Sequence, residues 1–247
     1  RSGSDEDATV CKNCPSGYHQ DQEAGAACLP CIPGKFQSTE GTESCNDCSI
    51  NTYTSTSNAT KCTECTRGKN TANQNGASLC QDCIAGQYGE TSGGCTNCLA
   101  GQFRGSDDDS NTCRECKTNT YQSQAGKVLC LECAQGQWIN ETGAEKCNLC
   151  EMGRYRKGGL QSSLVCLACP KGYVQPELGQ ATCVSCIPGT FSKIRGNAIC
   201  DTCMKNTFSK IKAQDHCEAC PSGWITPQGS ASCQPCTIGT FEKGGEC

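Results

Sequence analysis

Twenty-eight of the chain's twenty-nine cysteines fall into fourteen C-x-x-C pairs, from Cys11 and Cys14 to Cys233 and Cys236. Successive pairs start 15 to 19 residues apart, most often 17, and self-similarity at one short period is the mark of a repeat architecture. A unit this small cannot bury enough apolar surface to hold itself together, so covalent staples are expected. The expectation is an array of small units rather than a globule.

Composition narrows the setting. Only 35% of the 247 residues are hydrophobic, and that figure includes the cysteines, which leaves no continuous core. Cysteine at this density marks a disulfide scaffold and an oxidising compartment, extracellular or at the cell surface. No run of eighteen apolar residues spans a bilayer, and no basic start followed by an apolar stretch reads as a signal peptide, so no direct membrane insertion is expected. The sequence reads as a mature ectodomain or a piece of one. Residues 1–10, with Asp5, Glu6 and Asp7, read as a flexible acidic leader or linker, and residues 11–247 as the tandem array, part of a longer one.

Charge weighs against nucleic acid, because 21 basic residues are diluted among 25 acidic ones for a net −4 and phosphate binding needs clustered Lys and Arg. The charge is uneven. Residues 1–150 hold 11 basic and 18 acidic side chains, or −7, and residues 151–247 hold 10 and 7, or +3.

Each unit has an internal grammar. Three residues after the second Cys stands Gly in eleven units and Asn in three, Asn51, Asn119 and Asn206; both tolerate positive φ, so a left-handed turn is expected in every unit. One or two residues later comes an aromatic, from Tyr18 and Phe36 to Trp224 and Phe241, and these positions take all thirteen aromatics of the chain. Only the unit beginning at Cys62 lacks one, with Asn70 in the slot. A second Gly stands four residues before the next pair in seven units, which predicts a second turn closing a two-strand hairpin. Such a hairpin is marginal alone. The aromatic, packed beside a disulfide, is expected to make the largest apolar contribution of the unit, burying about 150–250 Å2.

The run Cys14-Pro15-Ser16-Gly17-Tyr18 to Cys28-Leu29-Pro30-Cys31-Ile32-Pro33-Gly34-Lys35-Phe36, repeated as Cys169-Pro170-Lys171-Gly172-Tyr173 to Cys186-Ile187-Pro188-Gly189-Thr190-Phe191, resembles the ephrin-receptor-like cysteine-rich repeat. Wider relatives are the first submodules of tumour necrosis factor receptor domains and the C-x-x-C-rich surface proteins of protozoa. The resemblance implies a small, disulfide-rich, mostly β or irregular fold, an elongated rod or solenoid of about fourteen 17-residue hairpin units. It also implies that the second Cys of each pair bonds the first Cys of the next: Cys14 with Cys28, Cys31 with Cys45, Cys48 with Cys62, Cys65 with Cys80, Cys83 with Cys95, Cys98 with Cys113, Cys116 with Cys130, Cys133 with Cys147, Cys150 with Cys166, Cys169 with Cys183, Cys186 with Cys200, Cys203 with Cys217, Cys220 with Cys233 and Cys236 with Cys247. Cys11 is then the orphan, unpaired, intermolecular or the closing half of an upstream unit. A crossed connectivity, first with first and second with second, orphans Cys247 instead.

Rival chemistry is thinner. C-x2-C-x13-C-x2-C also lies within the spacing of four-cysteine zinc sites, but alternating sites and linkers call for a 34-residue period, whereas the Gly/Asn turn recurs in all fourteen units. His19 and His216 are the only histidines and are expected as surface residues. Asp107, Asp108 and Asp109 carry carboxylates for calcium but match no ligand pattern, so no metal and no cofactor is expected. No catalytic motif is present, and no enzyme is expected. Asn58-Ala59-Thr60 and Asn140-Glu141-Thr142 are N-glycosylation sequons.

The resulting expectation is a non-catalytic extracellular structural protein. It is a stapled, glycosylated rod that forms or decorates a cell-surface filament, coat or stalk by head-to-tail contacts with copies of itself or with other extracellular structural proteins. The alternative is a ligand-binding or spacer ectodomain of a receptor. Contacts with a protein ligand are then expected where units depart from the repeat: the loop 104–112 with Arg104 and Asp108, the unit 62–79, and the insertion 156–165 with Leu160, Leu164 and Val165.

Overall fold

The structure is a computed structural model that describes residues 11–90, 93–158, 164–241, 243, 244 and 246. It is a small disulfide-rich repeat array. Among the described residues there is no helix, and twenty-six short strands pair into thirteen two-stranded sheets. Residues 1–10, with the acidic leader, lie outside the described residues. The chain divides into two compact bodies, Arg1–Arg114 with Gln124–Leu129 and Glu115–Ser123 with Cys130–Cys247, and each is built by the same rules.

Within one repeat, the turn after the second Cys sets the hairpin. In the first body Ile32, Pro33, Gly34 and Lys35 form a turn closed by the Lys35 N–H donating to Ile32 C=O at 3.0 Å, with Gly34 at φ 88°. Proline fits the second position of such a turn and positive φ the third. The strand Lys35–Phe36 then pairs antiparallel with Asn46–Asp47, the two residues between Cys45 and Cys48. Cys48 N–H closes the ribbon on Gly34 C=O at 2.9 Å, and the Cys31–Cys45 disulfide staples it. In the second body Thr190–Phe191 pairs with Asp201–Thr202 in the same register, stapled by Cys186–Cys200.

The second turn does more than reverse the chain. Gly41 and Gly76 sit there with positive φ, and so do Ala24, Asn58 and Ala213, which the glycine count alone does not flag. Its N–H docks onto the second Cys of the preceding repeat: Asn58 N–H donates to Cys31 C=O at 2.8 Å and Gly76 N–H to Cys48 C=O at 2.7 Å, and in the second body Gly196 N–H donates to Cys169 C=O at 2.9 Å. Its C=O meets the first-turn glycine two repeats back. A Cβ on Gly34 would lie 2.1 Å from Gly76 O, and one on Gly153 1.9 Å from Gly196 O. Glycine is required there for two reasons, positive φ and the close approach of a neighbouring backbone.

A second rung links consecutive repeats. Gly17 N–H donates to Gln37 C=O at 2.7 Å and Gly34 N–H to Thr54 C=O at 2.8 Å in the first body; Gly153 N–H donates to Gln175 C=O at 2.7 Å in the second. The acceptor in these bonds lies three positions beyond its own repeat's Gly or Asn, and this position is buried and mostly polar, as Gln37, Thr54, Thr71, Arg104, Gln122, Arg156, Gln175, Ser192, Ser209 and Thr226, with Ile139 an apolar exception. Burial of polar groups is tolerable because they are bonded. Gln37 Nε2 donates to Ser44 O at 2.8 Å, and Thr226 Oγ1 to Ser232 O at 2.8 Å.

Cystine, not the aromatic ring, fills the core. Cys31, Cys48, Cys98, Cys116, Cys150, Cys169, Cys186 and Cys203 are wholly buried, and among the described residues the buried hydrophobic side chains other than cysteine are Ile139 and Val174. None of the thirteen aromatics is buried, and Trp224 and Phe241 are 41% and 75% exposed. The aromatic expected to make the main apolar contribution is thus only partly covered. The second Cys lies inside because its own carbonyl is claimed by the next repeat, while the ring stands on the flank of the ribbon.

The lattice of close backbone contacts makes a direct prediction. Gly153 and Gly223 have similar φ, 77° and 80°, but a Cβ on Gly223 meets nothing within 4 Å. Gly153→Ala should therefore cost at least about 1 kcal/mol more than Gly223→Ala in chemical denaturation, the overpacking term beyond the shared φ strain. Equal losses would contradict the stacking.

Candidate functional site

The loop after Arg104 is built from the inside. The Arg104 side chain is 2% exposed, and its guanidinium donates to the carbonyls of Gln87, Cys83, Ile84 and Asp108. Arg104 therefore satisfies buried carbonyls and presents no surface for a partner, a correction to its assignment as a contact residue. Asp108 accepts from the Gly105 N–H at 2.9 Å and pairs with Arg114 at 2.8 Å. The Arg114 hydrogen bond first, and then that of Gly105, hold its carboxyl below the usual carboxylate range. Asp109 accepts from the Asn111 backbone and side chain, both at 2.9 Å. The loop is held chiefly by its own polar groups.

Aliphatic side chains lie outside. The slot after the second Cys holds Ile32, Ile84 and Leu99 in the first body and Ile187 and Met204 in the second, 59–76% exposed. Leu29, Leu131, Leu149, Leu167 and Val184, inside the C-x-x-C pairs, are also exposed. In the second body a cleft of about 420 Å3 is lined by Trp138, Asn148, Leu149, Glu151, Arg154, Val165 and Cys166. Of the insertion expected to make contacts, Val165 lines this cleft, and Leu164 is 63% exposed with its carbonyl accepting from Asn119 Nδ2 at 3.1 Å. Leu160 lies outside the described residues.

The same cleft recurs in the first body, where about 350 Å3 is lined by His19, Ile32, Lys35, Ser44 and Cys45. His19 is half-buried, and its Nδ1 lies 3.2 Å from Cys45 Sγ. A half-cystine sulfur has no proton to give, so Nδ1 carries the hydrogen in this contact. Asn70, in the equivalent slot, donates from Nδ2 to Cys95 Sγ at 2.8 Å. Two polar residues thus cap disulfides from the slot that holds an aromatic in most repeats and Val174 or Ile225 in two others. The sequence signal was present in Asn70 as the unit without an aromatic, whereas Tyr18 one residue earlier hid the same departure at His19.

The remaining positions are quickly placed. Thirteen disulfides join Cys14 with Cys28 through Cys220 with Cys233 in one register, second Cys to the next first Cys. Cys247, the expected partner of Cys236, lies outside the described residues. Cys11 is a free, exposed thiol. Asn58 is exposed but tied, with Nδ2 donating to Tyr18 Oη at 3.3 Å; Asn140 is exposed. His216 is exposed beside Asp215 at 2.7 Å, and the hydrogen bond holds the Asp215 carboxyl below its usual range. No helix among the described residues is long and apolar enough to cross a membrane.

Sequence comparison recognises the repeat. Residues 104–150, 159–198 and 189–232 fit the family model described as tyrosine-protein kinase ephrin type A/B receptor-like. Residues 104–150 and 159–232 thus match ephrin-receptor-like cysteine-rich repeats. A stretch of 73 residues is 30% identical to the mouse (Mus musculus) sushi, von Willebrand factor type A, EGF and pentraxin domain-containing protein 1, covering 28% of this chain and 2% of that protein. The rat (Rattus norvegicus) counterpart is 32% identical over 74 residues, with the same coverage. The chain thus spans about 2% of the length of these curated relatives. Ephrin-receptor-like repeats of this disulfide-rich kind are extracellular modules.

The depressed Asp108 carboxyl fixes the sign of a pH effect. A group whose folded pKa lies below its unfolded value stabilises the fold above the ordinary carboxylate range and stops doing so as pH falls through the folded value. Amide protection at Gly105 should hold at neutral pH and fall below about pH 4, and Asp108→Asn should remove that step. An unchanged pH profile in the variant would show that the network does not hold the loop.

Proposed function

We propose that this chain is a non-catalytic extracellular structural array whose repeats associate with copies of themselves or with other extracellular structural proteins. The observation that carries this reading is that most aliphatic side chains stand outside the core. Cystine and bonded polar residues already fill the interior, so Ile84, Leu99, Ile187 and Met204 do nothing for the fold while standing exposed in one recurring slot. Apolar side chains that the fold does not need are the material of protein contacts. The charge difference between residues 1–150, at −7, and residues 151–247, at +3, favours contacts between unlike parts of two copies, and heterologous contacts of that kind extend into filaments or close into rings. N-linked glycan on Asn140 and Asn58 belongs to the same reading.

The Trp138 cleft favours a second reading, a ligand-binding or spacer ectodomain, because its apolar lining is flanked by Glu151 and Arg154. The two readings separate in solution. Sedimentation velocity of the oxidised chain should show assembly that grows with concentration, weakens as salt is raised, and is reduced in the Ile84→Asp/Leu99→Asp variant while its melting temperature is unchanged. A single monomeric species at every concentration would overturn the structural reading.

A further inference from the structure

We propose that the Cys31–Cys45 disulfide is a thiol-exchange site, opened selectively by small anionic thiols under the action of His19. The proposal stands on three features found together at this one bond. The His19 Nδ1 lies 3.2 Å from Cys45 Sγ, and a ring nitrogen of His19 lies within 4.8 Å of both sulfurs. Cys45 is half-buried at the edge of a cleft of about 350 Å3, whereas Cys31 is wholly buried. Lys35 lines the same cleft, its ammonium paired with Asp47 at 2.6 Å.

Access decides which sulfur is attacked. An incoming thiolate reaches Cys45 Sγ from the cleft and forms a new S–S bond there, the Cys31–Cys45 bond breaks, and its electron pair leaves with Cys31 Sγ. Departure of the buried thiolate into an apolar interior is the difficult step, because burial disfavours the charged form. In its protonated form His19, with a ring nitrogen within 4.8 Å of both sulfurs, removes this difficulty by giving its proton to Cys31 as the bond opens, so that the products are a neutral thiol and a mixed disulfide on Cys45. A leaving thiol whose charge is neutralised leaves faster. A second thiolate attacking the external sulfur of the mixed disulfide releases Cys45 as a thiol and gives the small-molecule disulfide, so that electrons balance with two thiols oxidised.

Comparison within the chain sharpens the assignment. Cys83–Cys95 also has a polar cap, but Asn70 is a neutral amide that donates a hydrogen bond and no proton. In the other described repeats the slot holds Phe, Tyr, Trp138, Val174 or Ile225, none of which carries an imidazole. His19 is therefore the one such residue able to deliver a proton, and replacing it by phenylalanine restores the side chain that Phe36, Phe103, Phe191 and Phe208 already supply at this slot.

The test uses reduced glutathione as the probe on the full oxidised chain with Cys11→Ser, so that the chain's own thiol cannot attack. Brief exposure, quenching with an alkylating agent and peptide mapping should find glutathione on Cys45 and an alkylated Cys31 before any other disulfide opens, about tenfold ahead of Cys83–Cys95. His19→Phe should remove most of that lead with an unchanged melting temperature, and His19→Gln, which keeps hydrogen bonding, should not restore it. First opening at another disulfide, or a lead unaffected by His19→Phe, would overturn the proposal. So would adducts found on Cys31 in place of Cys45.

Discussion

Everything in this array depends on one contact: the second turn of a repeat set down on the second cysteine of the repeat before it. The N–H of Asn58 on Cys31, of Gly76 on Cys48 and of Gly196 on Cys169 fixes the turn, and the carbonyl of the same residue is thereby pressed against a glycine two repeats back. An isolated two-residue ribbon has no stability of its own, and a disulfide constrains mainly the unfolded chain. Stacking supplies what both lack, a reason for successive ribbons to adopt one arrangement. It also explains why the half-cystine nearest the contact is wholly buried at Cys31, Cys48, Cys169 and Cys186.

Much of this was legible in the residues. The repeat, the small disulfide-rich β fold and the positive φ at the first turn all follow from spacing and from the Gly/Asn alternation, and Asn51, Asn119 and Asn206 do take positive φ. The disulfide pairing came from the family resemblance, since spacing alone also fits a crossed scheme. Illegible were the relations between repeats. The rungs join residues 20 to 43 positions apart, and a period says that units are alike without saying which face of one meets the next. For that reason Gln37, Ser192 and Arg104 gave no sign of burial, because polarity normally argues for the surface and only bonding partners supplied by other repeats reverse it. Ala24 and Ala213 gave no sign of turns, since alanine has no preference for the left-handed region.

The same inversion reshapes the functional reading. In an ordinary domain aliphatic residues make the core and polar ones the surface; here cystine and a ladder of bonded polar residues make most of it, with Ile139 and Val174, which leaves most isoleucines and leucines outside. The loop that looked most suited to a partner, around Arg104, is occupied with its own carbonyls, whereas the insertion ending in Leu164 and Val165 borders an apolar cleft. Departures from a repeat are therefore of two kinds. Some, such as Arg104, repair a local deficit of hydrogen-bond donors, and others, such as His19 and Val165, alter what the surface offers.

The central claim is that stapled, stacked cystine, with the aromatic in a flanking role, holds each repeat. It is tested most directly by comparing two changes in one repeat of the second body, Cys186→Ser/Cys200→Ser against Phe191→Ala, by thermal unfolding of the otherwise oxidised chain. Cys186 is wholly buried and Phe191 only half-buried, so the cystine variant should lower the midpoint clearly more than the ring variant. A loss from Phe191→Ala equal to or greater than that from removing the disulfide would contradict the account.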